Sequence, residues 1–173
     1  MSRIFQTLLT VGVLLTLTPL VSAQVSPRKD ATATIAGQEV KIDYFAPSMR
    51  GRKIYGGLVR YGDVWCPGAN WATTITSPVA FTIGSLKLAA GSYALWVIPN
   101  ANDFELIVNS DAKAFHLNHK SETDLGRMRM NLKTLDKPVE QLTFEIRPDT
   151  GATATVALVW ENTEASVPII IGQ

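Results

Sequence analysis

The sequence predicts an all-β protein: a single antiparallel β-sandwich or jelly-roll-like domain with one long irregular loop, following an N-terminal signal peptide. Three observations carry the β assignment. Apolar and polar residues alternate with period two along most of the chain, as in half-buried strands. Gly, Pro and Asn turns divide that alternation into roughly nine runs, the pattern of antiparallel sandwiches and jelly rolls. No stretch outside the leader has the 3.6-residue periodicity of an amphipathic helix of ordinary length.

The elements follow in order. Ala33 and Ile35 alternate with Thr32, Thr34 and Ala36, and Gly37-Gln38 offers a turn. Val40, Ile42 and Tyr44 then alternate with Glu39, Lys41 and Asp43. Short strands are expected at 72–76, 79–83 and 86–88, punctuated by Ser77-Pro78 and Gly84-Ser85. The run from Ser92 to Ile98 is apolar on both faces, which places it at the centre of the fold. Phe104, Leu106 and Val108 mark the next strand. Ser121 to Arg129 reads as a turn followed by a strand, because Met128, Met130 and Leu132 alternate. Leu142, Phe144 and Ile146 form a further strand, and Ala152 to Trp160 a long one after the Pro148–Gly151 turn. Val167, Ile169 and Ile171 make the last, with Pro168 suited to an edge.

Residues 1–23 read as a secretory signal: Arg3 opens it, Leu8 to Leu20 is apolar, and Val21-Ser22-Ala23 is a small-residue cleavage site. The expected mature chain, 24–173, is long enough for one domain with a full core. It has no second apolar stretch long enough to cross a membrane as a helix, and a periplasmic or secreted location follows. Without Arg3 the basic residues number 15, equal to the 15 acidic ones. This neutrality argues against nucleic acid as a partner, since such surfaces carry a basic excess. The single Cys66 excludes an internal disulfide.

The segment from Pro47 to Ile75 breaks the alternation, concentrating arginines, glycines, tryptophans and the cysteine. Long structured loops of this kind build a site or a packing corner. Arg50 and Arg52 offer planar donor forks for a carboxylate, sulfate or phosphate, or pair with nearby carboxylates on a solvated loop. Trp65 and Trp71 flank Asn70, the combination of apolar face and amide that a sugar or peptide pocket uses. A tryptophan plugging a sandwich corner fits the same pattern. Cys66 is either a buried small hydrophobe or a reactive thiol needing a base within reach. His116 and His119, with Cys66, would make a donor set for zinc or copper if a turn brought them together. Their spacing lacks the specificity of a known metal motif, and the familiar hydrolase, P-loop and dinucleotide patterns are missing. The enzyme question therefore leans to no, and no cofactor is indicated.

One resemblance spans the chain. Pro47-x-x-Arg50-Gly51-Arg52-Lys53-Ile54, Gly56-Gly57-Leu58-Val59, Val64-Trp65-x-x-Gly68-Ala69-Asn70 and Thr73-Thr74-Ile75 resemble the bacterial exported family catalogued as domain of unknown function 2911. Ala90 to Leu95, Val108-Asn109, Asp124 to Arg127, Val139 to Thr143 and Trp160 to Thr163 continue it. The resemblance implies an exported β-rich domain and supplies no activity, cofactor or catalytic residue.

The leading expectation is an exported binding or accessory module. Its ligand is a small polar or anionic molecule, a glycan or a peptide, held by Arg50, Arg52, Trp65, Asn70 and Trp71. One alternative is a metal- or thiol-dependent enzyme using Cys66, His116 and His119. Another is a structural protein docking onto an envelope partner.

Overall fold

The structure, a computed structural model, describes residues 25–172. The expected signal peptide, 1–23, lies outside the described residues. The strands are β1 (Arg28–Ile35), β2 (Gln38–Phe45), β3 (Thr73–Ser77), β4 (Phe81–Ile83), β5 (Leu86–Leu88), β6 (Gly91–Pro99), β7 (Phe104–Asn109), β8 (Asp124–Pro148) and β9 (Thr153–Ile171). All pairings between them are antiparallel, in the order β1-β2-β3-β6-β7-β8-β9-β4-β5. The sole helical element among the described residues is a single 3-10 turn, Ser121–Thr123. No helix among them is long and apolar enough to cross a membrane.

The sheet is open, and it folds over so that β1 lies against β8 and β9 without pairing to them. A sheet with one apolar face must bury it against another layer; here the second layer is the far end of the same sheet. One core results, with Ile42, Ile75, Leu95, Leu106, Leu142, Leu158 and Ile169 among its members. As expected for its two-faced apolar pattern, β6 lies inside the sheet, between β3 and β7. Leu95 and Val97 enter the main core, while Ala94 and Trp96 join a smaller cluster with Cys66, Ala72, Ile107 and Ala114.

The β1–β2 hairpin turns on Ala36-Gly37, one residue earlier than the sequence suggests. Both residues have positive φ, 48° and 77°, the backbone that a two-residue hairpin needs to match strand twist.

Two pairs of expected strands prove to be continuous. The runs around Met130 and Phe144 both belong to β8, and the runs ending at Trp160 and Ile171 both belong to β9. β8 pairs with β7 through Met130 and with β9 from Asn131 onward, so it carries the chain around the corner between the layers. Between its regular stretches β8 advances nine residues, Thr134 to Thr143, while β9 advances four, Thr163 to Val159. That odd mismatch inverts the facing of β9. Its core residues are Ala154, Val156, Leu158 and Trp160 on one side of the bulge, then Ala165, Val167, Ile169 and Ile171 on the other. A bulge is the structure that lets one strand change its inward parity. Glu161 sits at the inversion with φ 54°.

Candidate functional site

The 46–72 segment is irregular, as expected, and it is fastened at several points. Its first part is tied to β8. Leu142 N–H donates to the Pro47 carbonyl at 2.9 Å, Met49 N–H to the Glu140 carbonyl at 2.8 Å, and Arg50 N–H to Glu140 Oε1 at 2.9 Å. The Trp160 indole N–H also reaches the Glu140 carbonyl, at 3.2 Å.

The next part is tied to the β9 bulge. Glu161 Oε1 and Oε2 accept the Ile54 and Tyr55 N–H groups at 3.1 and 3.3 Å. They fix a tight turn closed by Leu58 N–H to the Lys53 carbonyl and Val59 N–H to the Ile54 carbonyl. A Cβ on Gly57 would lie 2.5 Å from the Lys53 carbonyl oxygen, so the turn requires glycine there. Further on, Trp65 and Val97 exchange backbone hydrogen bonds of 2.8 Å each, extending β6's pairing beyond the end of β3.

These fastenings enclose a groove of about 400 Å3 lined by Arg50, Arg52, Leu58, Trp65, His116, Leu117 and Trp160, among others. Trp65 is half-buried and stacks on the buried Trp160, ring centres 5.9 Å apart and 17° from parallel. Tyr55 meets Trp65 edge-on at 6.1 Å. Among the described residues two arginines and no carboxylate line the groove, the Glu140 carboxylate lying behind it on the Arg50 N–H.

Arg52 is braced: its Nε donates to the Met49 carbonyl at 2.9 Å and its Nη2 to the Ser48 carbonyl at 2.8 Å. Arg50 has φ 51°, the left-handed region that costs a residue with a Cβ about 1 kcal/mol. Leu58 and Leu117 form an apolar rim and are 50% and 73% exposed. Burial pushes the His116 imidazole below its ordinary value, which leaves one ring donor and one ring acceptor near neutral pH.

The predicted site residues therefore divide. Arg50, Arg52 and Trp65 share the groove, and His116 joins them as a lining residue. Asn70 stands outside the lining. Its φ of 62° turns the backbone, and its carbonyl accepts His116 N–H at 3.1 Å; asparagine tolerates this conformation better than most residues. Trp71 is 58% exposed and faces a neighbouring pocket.

The Cys66, His116 and His119 set does not form a metal site. No group of three or more His, Cys, Asp or Glu that could hold an ion occurs among the described residues. Cys66 is buried beside Trp96, and burial pushes its thiol up to about 11, against hydrogen bonds from Thr73 that act the other way. A thiol in that state is a poor nucleophile. His119 bonds through Nε2 to Asp124 Oδ1 at 2.8 Å and packs edge-on against Trp96.

Sequence reasoning missed Trp160, Glu140 and Glu161, which support the groove from two strands, β8 and β9, through contacts 90 to 107 residues apart in the chain. It also missed the node at the foot of the connection that carries His116. Asn109 Nδ2 donates to Asp124 Oδ1 and to the Lys120 carbonyl, and its Oδ1 accepts from Asp111 N–H and the Thr123 hydroxyl. Arg127 Nη2 donates to Asp124 Oδ2 at 2.9 Å. The signal for the first group was the change of inward parity between Trp160 and Val167.

The profile described as protein of unknown function (DUF2911) matches residues 26–169. The chain belongs to the DUF2911 family. The match takes in the groove, its fastenings on β8 and β9, and the Asn109–Asp124 node. No curated protein and no solved structure matches the chain.

Proposed function

We propose that this DUF2911 protein is an exported binding module that takes a small ligand bearing an anionic group in the Arg50–Trp65 groove. Export is supported by the leader pattern of residues 1–23. The single observation that carries the binding reading is the Met49–Arg52 turn. It holds Arg50 in left-handed backbone and braces Arg52 on two carbonyls, at the edge of a groove that no carboxylate lines among the described residues. Strained residues persist where the surroundings over-determine them, commonly at ligand sites. A braced guanidinium loses little further freedom when it takes up a carboxylate or phosphate in a forked pair. The stacked indoles supply an apolar wall for the body of the ligand.

A second reading, docking of an envelope partner, is favoured by the exposed Leu58 and Leu117 at the rim. The enzyme reading has no comparable support, because the thiol is buried and the histidines face different surroundings.

The test is titration of the purified protein with phosphate, acetate and glucuronate, followed by calorimetry and thermal shift. At least one anion should raise the melting temperature by linkage. Arg50→Gly removes the guanidinium while suiting the φ of 51° and keeping the backbone donor to Glu140. Anion affinity should fall roughly tenfold or more, the loss of one charge-assisted pair. A wild-type protein indifferent to every anion overturns the reading.

A further inference from the structure

A second pocket, of about 290 Å3, adjoins the arginine groove and is lined by Arg28, Asp43, Trp71 and Thr74, among others. No residue lines both, but three short segments serve the two. The segments 44–48, 68–72 and 112–117 each contribute residues to one pocket and then to the other. Their chemistry differs. The second pocket sets an indole that is 58% exposed, held edge-on against Phe115 at 6.0 Å, beside a fixed carboxylate. Asp43 accepts from Arg28 Nε at 2.9 Å and from Lys41 Nζ at 3.0 Å. Each of its oxygens thus has one partner and keeps further acceptor capacity. The pair engages Arg28 only through Nε, and the threonine hydroxyl can both donate and accept.

An aromatic surface beside closely set donors and acceptors matches a pyranose ring, which has an apolar C–H face and hydroxyls around its edge. Arg28 and Asp43 are the charged residues lining this pocket and they offset each other, whereas the arginines of the neighbouring groove meet no carboxylate in its lining among the described residues. An acidic side chain would gain no net attraction from this balanced lining either. One ligand therefore satisfies both pockets when it is hydroxylated and neutral at one end and anionic at the other.

We propose that the Trp71 pocket is a sugar subsite, and that the two pockets together take a carboxylated oligosaccharide. A neutral ring lies at Trp71 and Asp43, and the carboxylated ring lies at Arg50 and Arg52. This rests on the anion reading of the groove and adds the class of molecule that carries the anion.

Calorimetry on the purified protein with glucuronate, the neutral disaccharide cellobiose and the acidic disaccharide glucuronosyl-glucose tests it. The acidic disaccharide should bind at least tenfold more tightly than glucuronate or cellobiose. Trp71→Ala alters a largely exposed side chain and removes its edge-on contact with Phe115, so its melting temperature should fall only slightly. It should erase the tenfold gain while leaving glucuronate affinity intact. Arg50→Gly should instead lose glucuronate and keep weak cellobiose binding. Equal affinity for glucuronate and the acidic disaccharide, or no effect of Trp71→Ala, overturns the sugar subsite and leaves the arginine groove standing. Failure of all three probes together with simple anions overturns both. Tighter binding of an acidic dipeptide than of the acidic disaccharide overturns the sugar in favour of a peptide.

Discussion

Tyr55 is buried between Trp65 and Phe104, its ring edge-on to both at 6.1 and 4.8 Å. Its hydroxyl is inaccessible and has no hydrogen-bond partner among the described residues. Burial, with the Glu161 carboxylate nearby, pushes the phenol far above its ordinary value, so it stays protonated. A buried hydroxyl with no partner loses its bonds to water and gains nothing in return. Tyr55→Phe keeps both ring contacts and removes that cost. It should raise stability by about 1 kcal/mol, seen as a higher denaturant midpoint with an unchanged slope. A lower midpoint would show that the hydroxyl has a structural partner. Arg50 makes the opposite case at the same scale, since its strained backbone is retained next to Gly51, where a glycine is evidently accommodated. What distinguishes the two is the surroundings: one side chain is sealed in the core and the other is at the groove.

Among the elements, strands declare themselves by alternation, because one face of each is buried and the other is not. β2 is legible from Gln38 to Phe45 for that reason, with Val40, Ile42 and Tyr44 buried between partly exposed neighbours. The continuity of β9 is hidden, since the bulge at Glu161 moves the buried set from even to odd positions and makes one strand read as two. Arg50, Arg52 and Trp65 were legible because they are neighbours in sequence. Trp160, Glu140 and Glu161 were not, because pairing across β8 and β9 brings them to the groove. The connection carrying His116 is tied at its foot by a local node, where Asp124 at the start of β8 meets His119 and Asn109. Burial would raise the Asp124 carboxyl, but hydrogen bonds from Asn109, His119 and Arg127 outweigh it and hold the group below its ordinary value. The contribution to stability is therefore complete above the ordinary carboxylate value of about 3.9 and is lost as pH falls through the lower folded value. Asp124→Asn should cost about 2 kcal/mol, since its bonds are charge-assisted and its side chain is only 10% exposed. Hydrogen exchange should quicken at residues 110–120 before it does in β6. The variant should also lose the acid-dependent part of the stability profile; an unchanged profile would assign acid sensitivity to other carboxylates.

Across the whole molecule, the sheet closes its core only when the chain's last strand arrives. β4 and β5 are three residues each, and β4's other neighbour is the end of β9, where Phe81 pairs with Ile171 and Ile83 with Ile169. Backbone bonds flank this junction: Gly84 N–H reaches the Pro168 carbonyl at 2.9 Å and Ile171 N–H the Ala152 carbonyl at 2.9 Å. A two-stranded hairpin is marginal by itself in water, so β4 and β5 have no independent reason to stay folded. Val167, Ile169 and Ile171 are all buried, and burying each contributes roughly 1.5–3 kcal/mol. Their loss approaches the whole stability of a typical domain, about 5–15 kcal/mol, before counting Phe81 and Ile83 left without cover. Pairing between segments so far apart also predicts folding in milliseconds to seconds, as for other β proteins rich in non-local contacts. Ending the chain after Ser166 should therefore abolish the cooperative thermal transition and the near-ultraviolet signal of buried Trp96 and Trp160. Ending it after Ile171 should preserve both, because the apolar residues of the junction remain. A cooperative transition with native near-ultraviolet intensity in the shorter chain would show that β1 to β8 and the first part of β9 close a sufficient core by themselves.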